Sequence, residues 1–345
     1  MQHDDSWIGA TLRATRDLTP GIREFTLVPD EGAQAYPTGA HLRIRLDVSG
    51  RTTVRHYSLV GVVPRDGAWR IAVQREDAGR GGSRAMWALQ PGARLTISRP
   101  ASHFELAAGA TEVLLLAGGI GITPILGMAE ALARRAARFR LLYAGRSRAA
   151  MAYLPELAAM LGDALVVCAE DEAGRPDLDA IFAALAPGGE AYVCGPIGLL
   201  GAARRAWMAA GRPPASLVFE TFGSSGNATP RDFTVRIPRL GREVLVPADS
   251  SMLDALEAAG IGVLSDCRRG ECGLCALEVL AVEGSIDHRD VFFSDRQHAE
   301  GRRICACVSR VAGACITIDP PWRGDASLTP GQEGQRQSGA TGLTG

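Results

Sequence analysis

The feature that most constrains this chain is a run of three cysteines, Cys267, Cys272 and Cys275, spaced C-x4-C-x2-C. Further cysteines follow about thirty residues later, at Cys305 and Cys307. This is the spacing of a plant-type [2Fe–2S] ferredoxin, in which one tight loop supplies three of the four thiolates. The glycines at positions 270 and 273 remove Cβ atoms where such a loop must close around a cluster. The stretch therefore predicts an iron–sulfur site.

A structural zinc site with four cysteine ligands is the alternative. Zinc sites usually pair two C-x2-C knuckles, and this chain has one, at Cys272 and Cys275. The spacing thus favours the cluster. It leaves the fourth ligand open, because 29 residues (276–304) separate Cys275 from Cys305 and 31 residues (276–306) separate it from Cys307. Plain spacing favours Cys305.

Length and composition limit the class of protein to which this chain can belong. A chain of 345 residues suits two or three domains, and its 46% hydrophobic and 22% charged residues are typical of a globular protein. A net charge of −1 gives no reason to expect nucleic acid or an anionic membrane as a partner. All 37 basic residues are arginines, which excludes Schiff-base lysine chemistry and lysine-dependent phosphate loops. The acidic start and the lack of long apolar runs predict a cytoplasmic protein without a signal peptide.

The first hundred residues contain short runs of alternating apolar and polar residues. Candidate strands lie at residues 8–13, 23–28, 41–48, 54–59, 69–75 and 94–98. Six short strands without a long helix between them predict a small antiparallel barrel. Arg55 can give a phosphate a bidentate contact, and Tyr57 offers a flat ring to a planar ligand. The Gly-rich turn 79–83 opens a predicted helix at 84–89 and would offer N–H groups to an anion, although many such turns bind nothing.

After Gly109 the pattern changes to alternating strands and helices, which predicts a doubly wound parallel sheet. Strands are predicted at 112–117, 140–143, 164–168, 190–194 and 217–222, with helices at 125–135, 152–161, 178–185 and 197–210. Ligands of such sheets bind outside the carboxyl ends of the strands. Two turns lie there, 118–124 and 194–196, and the glycines of the first would let a phosphate-bearing ligand approach the backbone. Ordinary strand-to-helix turns are the alternative, since neither is a G-x-G-x-x-G fingerprint.

With these motifs in place, the chain resembles the phthalate dioxygenase reductase and vanillate demethylase reductase family over about residues 7 to 320. Four motifs stand in the family's order. They are Arg-x-Tyr-Ser with Gly-Arg-Gly-Gly-Ser, the turn 118–124, Cys-Gly-Pro at 194–196, and Phe-Glu-Thr-Phe-Gly at 219–223. The cysteine loop follows them after a linker.

The resemblance implies FMN, NADH and a [2Fe–2S] cluster as cofactors, with FAD and NADPH as the alternatives. FMN is expected to contact Arg55, His56, Tyr57, Ser58, Val73, Gly79, Arg80, Gly81, Gly82 and Ser83. The nucleotide is expected at Gly118, Gly119, Gly121, Thr123, Pro124, Arg146, Ser147, Cys194, Gly195, Pro196 and Phe222. Thr123, Cys194 and Phe222 are expected beside the reacting rings. Arg146 and Arg148 would accept the 2′-phosphate of NADPH.

The family places its fourth cluster ligand in C-x-S-R, which here begins at Cys307. The implied ligands are therefore Cys267, Cys272, Cys275 and Cys307. Cys305 is expected to alternate with Cys307 along a strand and so to point to the same face. The segment 287–290, Asp-His-Arg-Asp, is expected to pack near the cluster, and as a metal or acid–base site it has no evident partner in the sequence.

The predicted chain is thus multidomain. We expect an FMN-binding antiparallel β-barrel at 1–107, an NAD-binding α/β doubly wound domain at 108–223, a linker at 224–231, an α+β ferredoxin-like β-grasp domain at 232–320, and a disordered tail at 321–345. A module of strands 233–237 and 243–246 and helix 252–258 precedes the cysteine loop.

The resemblance implies an NAD(P)H-dependent electron-transfer reductase. A hydride carries two electrons and the cluster accepts one. A flavin between them is therefore expected to accept both electrons and to pass them on one at a time. The expected acceptor is a Rieske-type non-haem iron oxygenase or demethylase. A cytochrome P450 acceptor and a non-enzymatic iron–sulfur redox sensor are the alternatives. Arg268 and Arg269 would form a docking patch for an acidic partner, or else a solvated charged loop, and the protein is expected to be a monomer.

Overall fold

The computed structural model describes residues 6–48, 50–77, 79–107, 109–222 and 228–320. The predictions for residues 1–5, for Gly223 and the linker residues 224–227, and for the tail lie outside the described residues. The chain divides into two compact units, Met1–Ser225 and Gly226–Gly345. The finer domain boundaries stay a prediction. Among the described residues, no helix is long and apolar enough to cross a membrane.

The first sheet of the N-terminal unit has six antiparallel strands in the order β4-β3-β6-β1-β2-β5. Its elements are β1 (Trp7–Thr19), β2 (Ile22–Pro29), β3 (His41–Val48), β4 (Arg51–Ser58), β5 (Trp69–Gln74), α1 (Gly82–Ala88) and β6 (Arg94–Ser98). A bridge between Leu59 and Ile71 joins the two edges and closes the barrel. All six predicted strands are present. β1 runs past its predicted end because register shifts near Ala14 and Thr19 interrupt the two-residue period.

The second sheet of this unit is parallel, with the order β11-β10-β7-β8-β9. Its strands are β7 (Val113–Gly118), β8 (Phe139–Gly145), β9 (Leu165–Ala169), β10 (Glu190–Cys194) and β11 (Leu217–Glu220). Its helices are α2 (Ile122–Arg134), α3 (Leu154–Leu161), α4 (Glu170–Ala173), α5 (Leu178–Ala183) and α6 (Ile197–Ala209). Every residue of β7 is buried, as expected for a central strand that is covered on both faces.

Buried carboxylates join the barrel to the parallel sheet. Glu24 of β2 accepts a hydrogen bond from the Tyr153 hydroxyl at 2.9 Å. Glu130 of α2 accepts one from the backbone N–H of Val62 at 3.2 Å and forms an ion pair with Arg65 at 2.8 Å. These contacts link residues more than sixty positions apart, and they hold the carboxyl edge of the parallel sheet beside the barrel.

The C-terminal unit contains a mixed five-stranded sheet in the order β13-β12-β16-β14-β15. Its elements are β12 (Phe233–Ile237), β13 (Arg242–Val246), α7 (Met252–Ala258), β14 (Ala276–Asp287), α8 (Asp295–Glu300), β15 (Arg303–Cys305) and β16 (Arg310–Asp319). β12 and β16 are parallel, and the other pairs are antiparallel. The predicted hairpin and α7 are confirmed. β14 and β16 are not among the predicted strands, and two register shifts interrupt the pairing between them.

Candidate functional site

Arg55 meets the Gly-rich turn of the barrel. A Cβ atom added at Gly82 would lie 2.6 Å from Arg55 Nε, and Arg55 Nη2 donates to the carbonyl oxygen of Arg80 at 3.3 Å. Gly81 has a φ of 80°, which a residue with a side chain would rarely adopt. The Ser83 hydroxyl accepts from the backbone N–H of Glu76 at 3.0 Å and so closes the turn that starts before Gly79. The guanidinium and the turn together fit an anionic group such as a phosphate.

The other predicted flavin residues divide between two faces of β4. Successive side chains of a strand point to opposite faces, so Arg55 and Tyr57 share one face and His56 and Ser58 share the other. Tyr57 packs against the barrel core, and burial raises the pKa of its phenol. The His56 ring stacks on His41, with ring centroids 5.2 Å apart. The His56 side chain is therefore not placed with Arg55 on the turn.

Val73 lies in the barrel core with its side chain almost fully buried. Its carbonyl oxygen accepts a hydrogen bond from Trp87 Nε1 at 3.1 Å. The structure thus presents no Val73 side-chain surface to a ligand. The roles of the predicted flavin residues stay predictions.

The glycines at the carboxyl edge of the parallel sheet serve mainly to bring two turns together. A Cβ atom at Gly121 would lie 2.2 Å from the carbonyl oxygen of Cys194, and one at Gly195 would lie 3.0 Å from Gly118 Cα. The sequence-based expectation was that a ligand needs this close approach. The structure shows instead that turns 118–121 and 194–196 pack on each other. Gly119, with a φ of 54° and open space around its Cα, is the exception.

The three residues expected at the reacting rings lie close to this junction. Thr123 is buried in the first turn of α2, where its hydroxyl donates to the carbonyl oxygen of Ile120 at 3.0 Å, and Pro124 follows it in the same turn. Cys194 is fully buried at the end of β10, and the exposed Pro196 precedes α6. Phe222 is half-buried and packs against the same core. Their roles beside the rings stay predictions.

Glu220 is the residue at this edge that the sequence-based set omitted. It ends β11, pairs in register with Cys194 and is 1% exposed. The Ser58 hydroxyl of the barrel donates to Glu220 Oε2 at 3.4 Å. A carboxylate inside an apolar strand was the available signal, because such a group is rarely buried without a role or a partner.

The turn after β8 carries the arginines considered for a 2′-phosphate. Arg146 is exposed, and its carbonyl oxygen accepts from the backbone N–H of Asp171 at 3.2 Å. The Ser147 carbonyl oxygen accepts from the N–H of Ala150. Arg148 donates from Nε to both carboxylate oxygens of Glu172, at 2.9 and 3.0 Å. The structure thus pairs one of the two arginines with a carboxylate.

The four predicted cluster ligands converge in the C-terminal unit. The Sγ atoms of Cys275 and Cys307 lie 3.1 Å apart. Cys267 exchanges a hydrogen bond with Cys272 and interacts electrostatically with Cys307. Hydrogen bonds from the thiols of Cys305 and Cys307 lower the pKa of Cys275 to about 3, which favours a thiolate there.

The loop around these thiols fits a cluster. The backbone N–H groups of Arg269 and Glu271 both donate to Cys267 Sγ at 3.4 Å, as donors would toward a negatively charged sulfur. Gly270 and Gly273 have φ angles of 78° and 72°. A Cβ atom at Gly270 would lie 2.6 Å from Val308, and one at Gly273 would lie 2.2 Å from the Phe292 ring. Both glycines are therefore required by the fold of the loop.

The structure corrects the expected placement of Cys305 and Cys307 along one strand. β15 ends at Cys305, and a turn closed by the hydrogen bond from Ser309 N–H to the Cys305 carbonyl oxygen carries Cys307. Both thiols nevertheless reach Cys275. The N–H of Gly270, in the cysteine loop, donates to Cys307. This contact favours Cys307 as the fourth ligand, which stays a prediction.

The structure argues against Arg269 as a docking residue, whereas the docking role of Arg268 stays a prediction. Arg269 is only 5% exposed and forms an ion pair with Glu271 at 3.1 Å. Arg268 has a φ of 51° and pairs with Asp254 at 3.0 Å and with Glu257. Both guanidinium groups are thus bound within their own unit. Besides Arg268, the loop and its surroundings expose two apolar side chains, Leu274 at 47% and Phe292 at 46% exposure.

Three family models match successive parts of the chain. The oxidoreductase FAD-binding domain matches residues 10–106, the N-terminal domain of the DmmA-like dimethylamine monooxygenase subunit matches residues 96–217, and the 2Fe-2S iron-sulfur cluster binding domain matches residues 235–312. The matches follow the order of the two sheets of the first unit and the single sheet of the second. They confirm the predicted flavin-binding and [2Fe–2S] domains.

Curated relatives match over most of their length. The chain is 38% identical over 293 residues to phenoxybenzoate dioxygenase subunit beta of Ectopseudomonas oleovorans, which covers 84% of this chain and 89% of that protein. It is 35% identical over 320 residues to the vanillate O-demethylase oxidoreductase of a Pseudomonas species, which covers 90% and 99%.

Two solved structures bear on the fold. Phthalate dioxygenase reductase, described as a modular structure for electron transfer from pyridine nucleotides to [2Fe–2S], has a TM-score of 0.73 and 30% identity and covers 92% of this chain and 98% of that chain. An intact type IV self-sufficient cytochrome P450 monooxygenase has a TM-score of 0.63 and 33% identity and covers 90% of this chain and 41% of that chain.

The predicted multidomain fold, the oxidoreductase activity and the flavin, pyridine-nucleotide and cluster cofactors are confirmed. This chain belongs to the family of phthalate dioxygenase reductase and vanillate O-demethylase oxidoreductase, the flavin and [2Fe–2S] reductase components of oxygenase systems.

Proposed function

We propose that this protein passes electrons from NADH through FMN and a [2Fe–2S] cluster to a Rieske-type non-haem iron oxygenase or demethylase, as a cytoplasmic monomer. The observation that carries the proposal is the match to phthalate dioxygenase reductase over 98% of that chain. One chain thus holds the whole route from nucleotide to cluster, and only the final acceptor is a separate protein.

The chain's own residues bind and orient the reactants. When bound, a flavin would supply the chemistry that connects a two-electron hydride donor to a one-electron cluster. Arg55 and turn 79–83 would hold the flavin phosphate, as their contacts support. Tyr57 and Phe222 supply aromatic rings to flank the flavin. The paired turns 118–121 and 194–196 would bring the nicotinamide to it from the carboxyl edge of the sheet.

NADH is the proposed nucleotide because the charges after β9 oppose a phosphate on the ribose. Glu172 neutralises Arg148 through both carboxylate oxygens. Glu170 and Asp171 add two further carboxylates in the same short helix, α4. Arg175 lies 3.8 Å from Glu170, so a 2′-phosphate would meet this acidic segment with Arg146 as the arginine not bound to one of its carboxylates.

The proposed acceptor surface is the apolar rim of the cysteine loop. Leu274 lies between two of the ligand cysteines, and the Phe292 ring rests on Gly273. Exposed apolar side chains next to a redox centre suit a transient contact with a partner protein. The relatives are named as subunits of dioxygenase and demethylase systems, which supports an oxygenase as that partner.

A cytochrome P450 is the second candidate acceptor. A self-sufficient P450 monooxygenase contains a region that is 33% identical to 90% of this chain. The same type of reductase is therefore compatible with an acceptor that contains haem.

One preparation of the full protein tests the proposal. Absorption spectroscopy, flavin extraction and iron analysis would identify the cofactors, and NADH should bleach the flavin and cluster bands. Recovery of FAD would overturn the choice of FMN. Absence of NADH oxidation with ferricyanide or cytochrome c would instead favour a redox sensor. Steady-state reduction of a Rieske oxygenase and of a P450 by the same preparation would separate the two acceptors.

A further inference from the structure

Two histidines and an aspartate meet in the C-terminal unit at a place that the electron route does not use. His288 and Asp290 follow β14, and His298 lies on α8. His298 Nε2 lies 3.0 Å from Asp290 Oδ2, and His288 Nδ1 lies 3.6 Å from Asp290 Oδ1. The two imidazole rings are stacked, with centroids 4.3 Å apart. We propose that these three residues form a binding site for a divalent borderline metal ion such as zinc, separate from the cysteine cluster.

The spacing of the ligand atoms suits such an ion. Zinc bonds to imidazole nitrogen and carboxylate oxygen are about 2.0–2.2 Å long, so a tetrahedral ion places its ligand atoms roughly 3.4 Å apart. The two distances, 3.0 Å to Asp290 Oδ2 and 3.6 Å to Asp290 Oδ1, are each close to this value, so that each imidazole faces one oxygen of the carboxylate. One ligand atom from each residue can be chosen so that all three lie within 4.8 Å of one another. Imidazole and carboxylate donors are ligands that zinc and its neighbours in the first transition row accept.

His288 supplies the second, independent observation. Its side chain is 10% exposed, and within the part of the chain that the structure describes its Nε2 makes no hydrogen bond, while its Nδ1 has a long contact of 3.6 Å with Asp290. A buried polar group without a partner is unusual in a native protein and calls for an explanation. Its Nδ1 faces Asp290 at a distance too long for a hydrogen bond, and an ion between the two would satisfy it.

The carboxylate is held in place for this role. Ser309 Oγ donates to Asp290 Oδ1 at 3.0 Å, and the backbone N–H of Phe293 donates to Asp290 Oδ2 at 3.0 Å. Such outer contacts commonly orient carboxylates that bind metal ions. The neighbouring Arg289 is directed away, since its guanidinium binds Asp287 at 2.6 and 2.8 Å. The Arg289 guanidinium is therefore paired with Asp287 and leaves the Asp290 carboxylate to other partners.

His298 is fixed by its helix and leaves an entry path. A capping box between Ser294 and Gln297 starts α8, so that His298 stands one turn into a helix with a defined beginning. Its side chain is 23% exposed, which leaves room for an ion to enter and for a water molecule as the fourth ligand. His298 is the partner that the sequence did not reveal for His288 and Asp290.

A metal ion here would stabilise the cluster loop from outside. The residue after Asp290, Val291, donates from its backbone N–H to the carbonyl oxygen of Gly270 at 3.0 Å. Ser309, which donates to Asp290, lies two residues after Cys307. The ion would thus join α8 to the segment that supports both sides of the cysteine site. It would act as a structural ion, since folding and metal binding are coupled at such sites.

Equilibrium dialysis of the full holoprotein against micromolar zinc chloride, followed by elemental analysis, tests the proposal. We expect about one zinc per chain with the iron content unchanged. The variants H288Q and H298Q should retain less than about a fifth of that zinc. H103Q removes a histidine from the other unit and should bind zinc as the wild type does.

Thermal loss of the cluster absorbance gives a readout that is independent of stoichiometry. Zinc should raise its midpoint in the wild type and in H103Q but not in H298Q, because a ligand stabilises only the state that binds it. Equal zinc content in the wild type, H288Q and H298Q would overturn the proposal. So would zinc uptake that displaces iron in proportion, because the ion would then occupy the cysteines.

Discussion

The hydroxyl of Ser58 donates to the carboxylate of Glu220 across 3.4 Å, between residues that are 162 positions apart in the chain. Ser58 ends β4 of the barrel, and Glu220 ends β11 of the parallel sheet. Glu220 also pairs in register with Cys194. This one contact therefore joins the predicted flavin site to the predicted nicotinamide site.

Replacing Glu220 with Gln should slow reduction of the flavin by NADH by about a hundredfold, the lower end of the range for loss of a positioned polar group at a reacting centre. The flavin should still bind, because the side chain of Gln keeps an oxygen that can accept from Ser58, and the hydrogen bonds described above for Arg55 and turn 79–83 do not involve residue 220. Stopped-flow absorbance of the flavin measures the rate. E112Q is the matched control, since Glu112 is a buried carboxylate before the opposite, amino end of β7. Equal slowing by both variants would contradict a specific role for Glu220.

Replacing Cys307 with Ser should abolish the visible absorption of the cluster, whereas the Cys305 variant should keep it. The reason is the contact of Cys307 with Cys275 and with the N–H of Gly270. Absorption spectra and iron analysis measure the outcome. C315S, a buried thiol on β16, is the control and should retain the cluster. The reverse result for the first two variants would move the fourth ligand to Cys305.

Replacing Glu172 with Gln should release Arg148 and improve the use of NADPH relative to NADH. An exposed ion pair is worth up to about 1 kcal/mol, so the ratio of kcat/KM values should shift by roughly three- to fivefold. Steady-state rates with ferricyanide and both nucleotides give the ratio. E31Q breaks an ion pair of similar exposure in the barrel, between Glu31 and Arg99 at 2.7 Å, and serves as the control. An unchanged ratio in E172Q would remove Arg148 from nucleotide selection.

Replacing Arg269 with Ala should destabilise the C-terminal unit by about 3 kcal/mol, because it breaks a buried ion pair. The ion pairs of Arg268 are more exposed, so R268A should lower the free energy of unfolding by less than about 1 kcal/mol. Chemical denaturation followed by cluster absorbance compares the two. A stable R269A variant that reduced its oxygenase more slowly would restore the docking role that the structure denies to this arginine.

Replacing Leu274 with Ser should raise the KM for the protein acceptor several-fold and leave ferricyanide reduction unchanged. The physical reason is the loss of exposed apolar surface next to the cluster ligands. Iron analysis must first show an intact cluster. L280S removes a leucine of similar exposure from β14 and should leave the KM for the protein acceptor unchanged. Equal effects of both variants would argue against a local contact surface.

Sequence reasoning was most successful where the information is local. The spacing of Cys267, Cys272 and Cys275 predicted a cluster site because ligands of one loop must follow each other closely. Alternation of apolar and polar residues predicted the six barrel strands, and continuous apolar runs predicted the parallel strands. Both patterns are local, because the side chains of a strand point alternately to its two faces. Strands β14 and β16 were missed, and register shifts in their pairing disturb the two-residue period.

Tertiary structure decided every relation between distant residues. It showed that Gly121 and Gly195 bring two turns together, that Arg269 is buried, and that Glu220 meets Ser58. It also gave His288 and Asp290 a partner in His298. The sequence by itself determined the cofactor chemistry, since spacing and motif order are properties of the chain. Packing alone determined which charges are buried and which side chains meet, because those depend on contacts that no local period encodes.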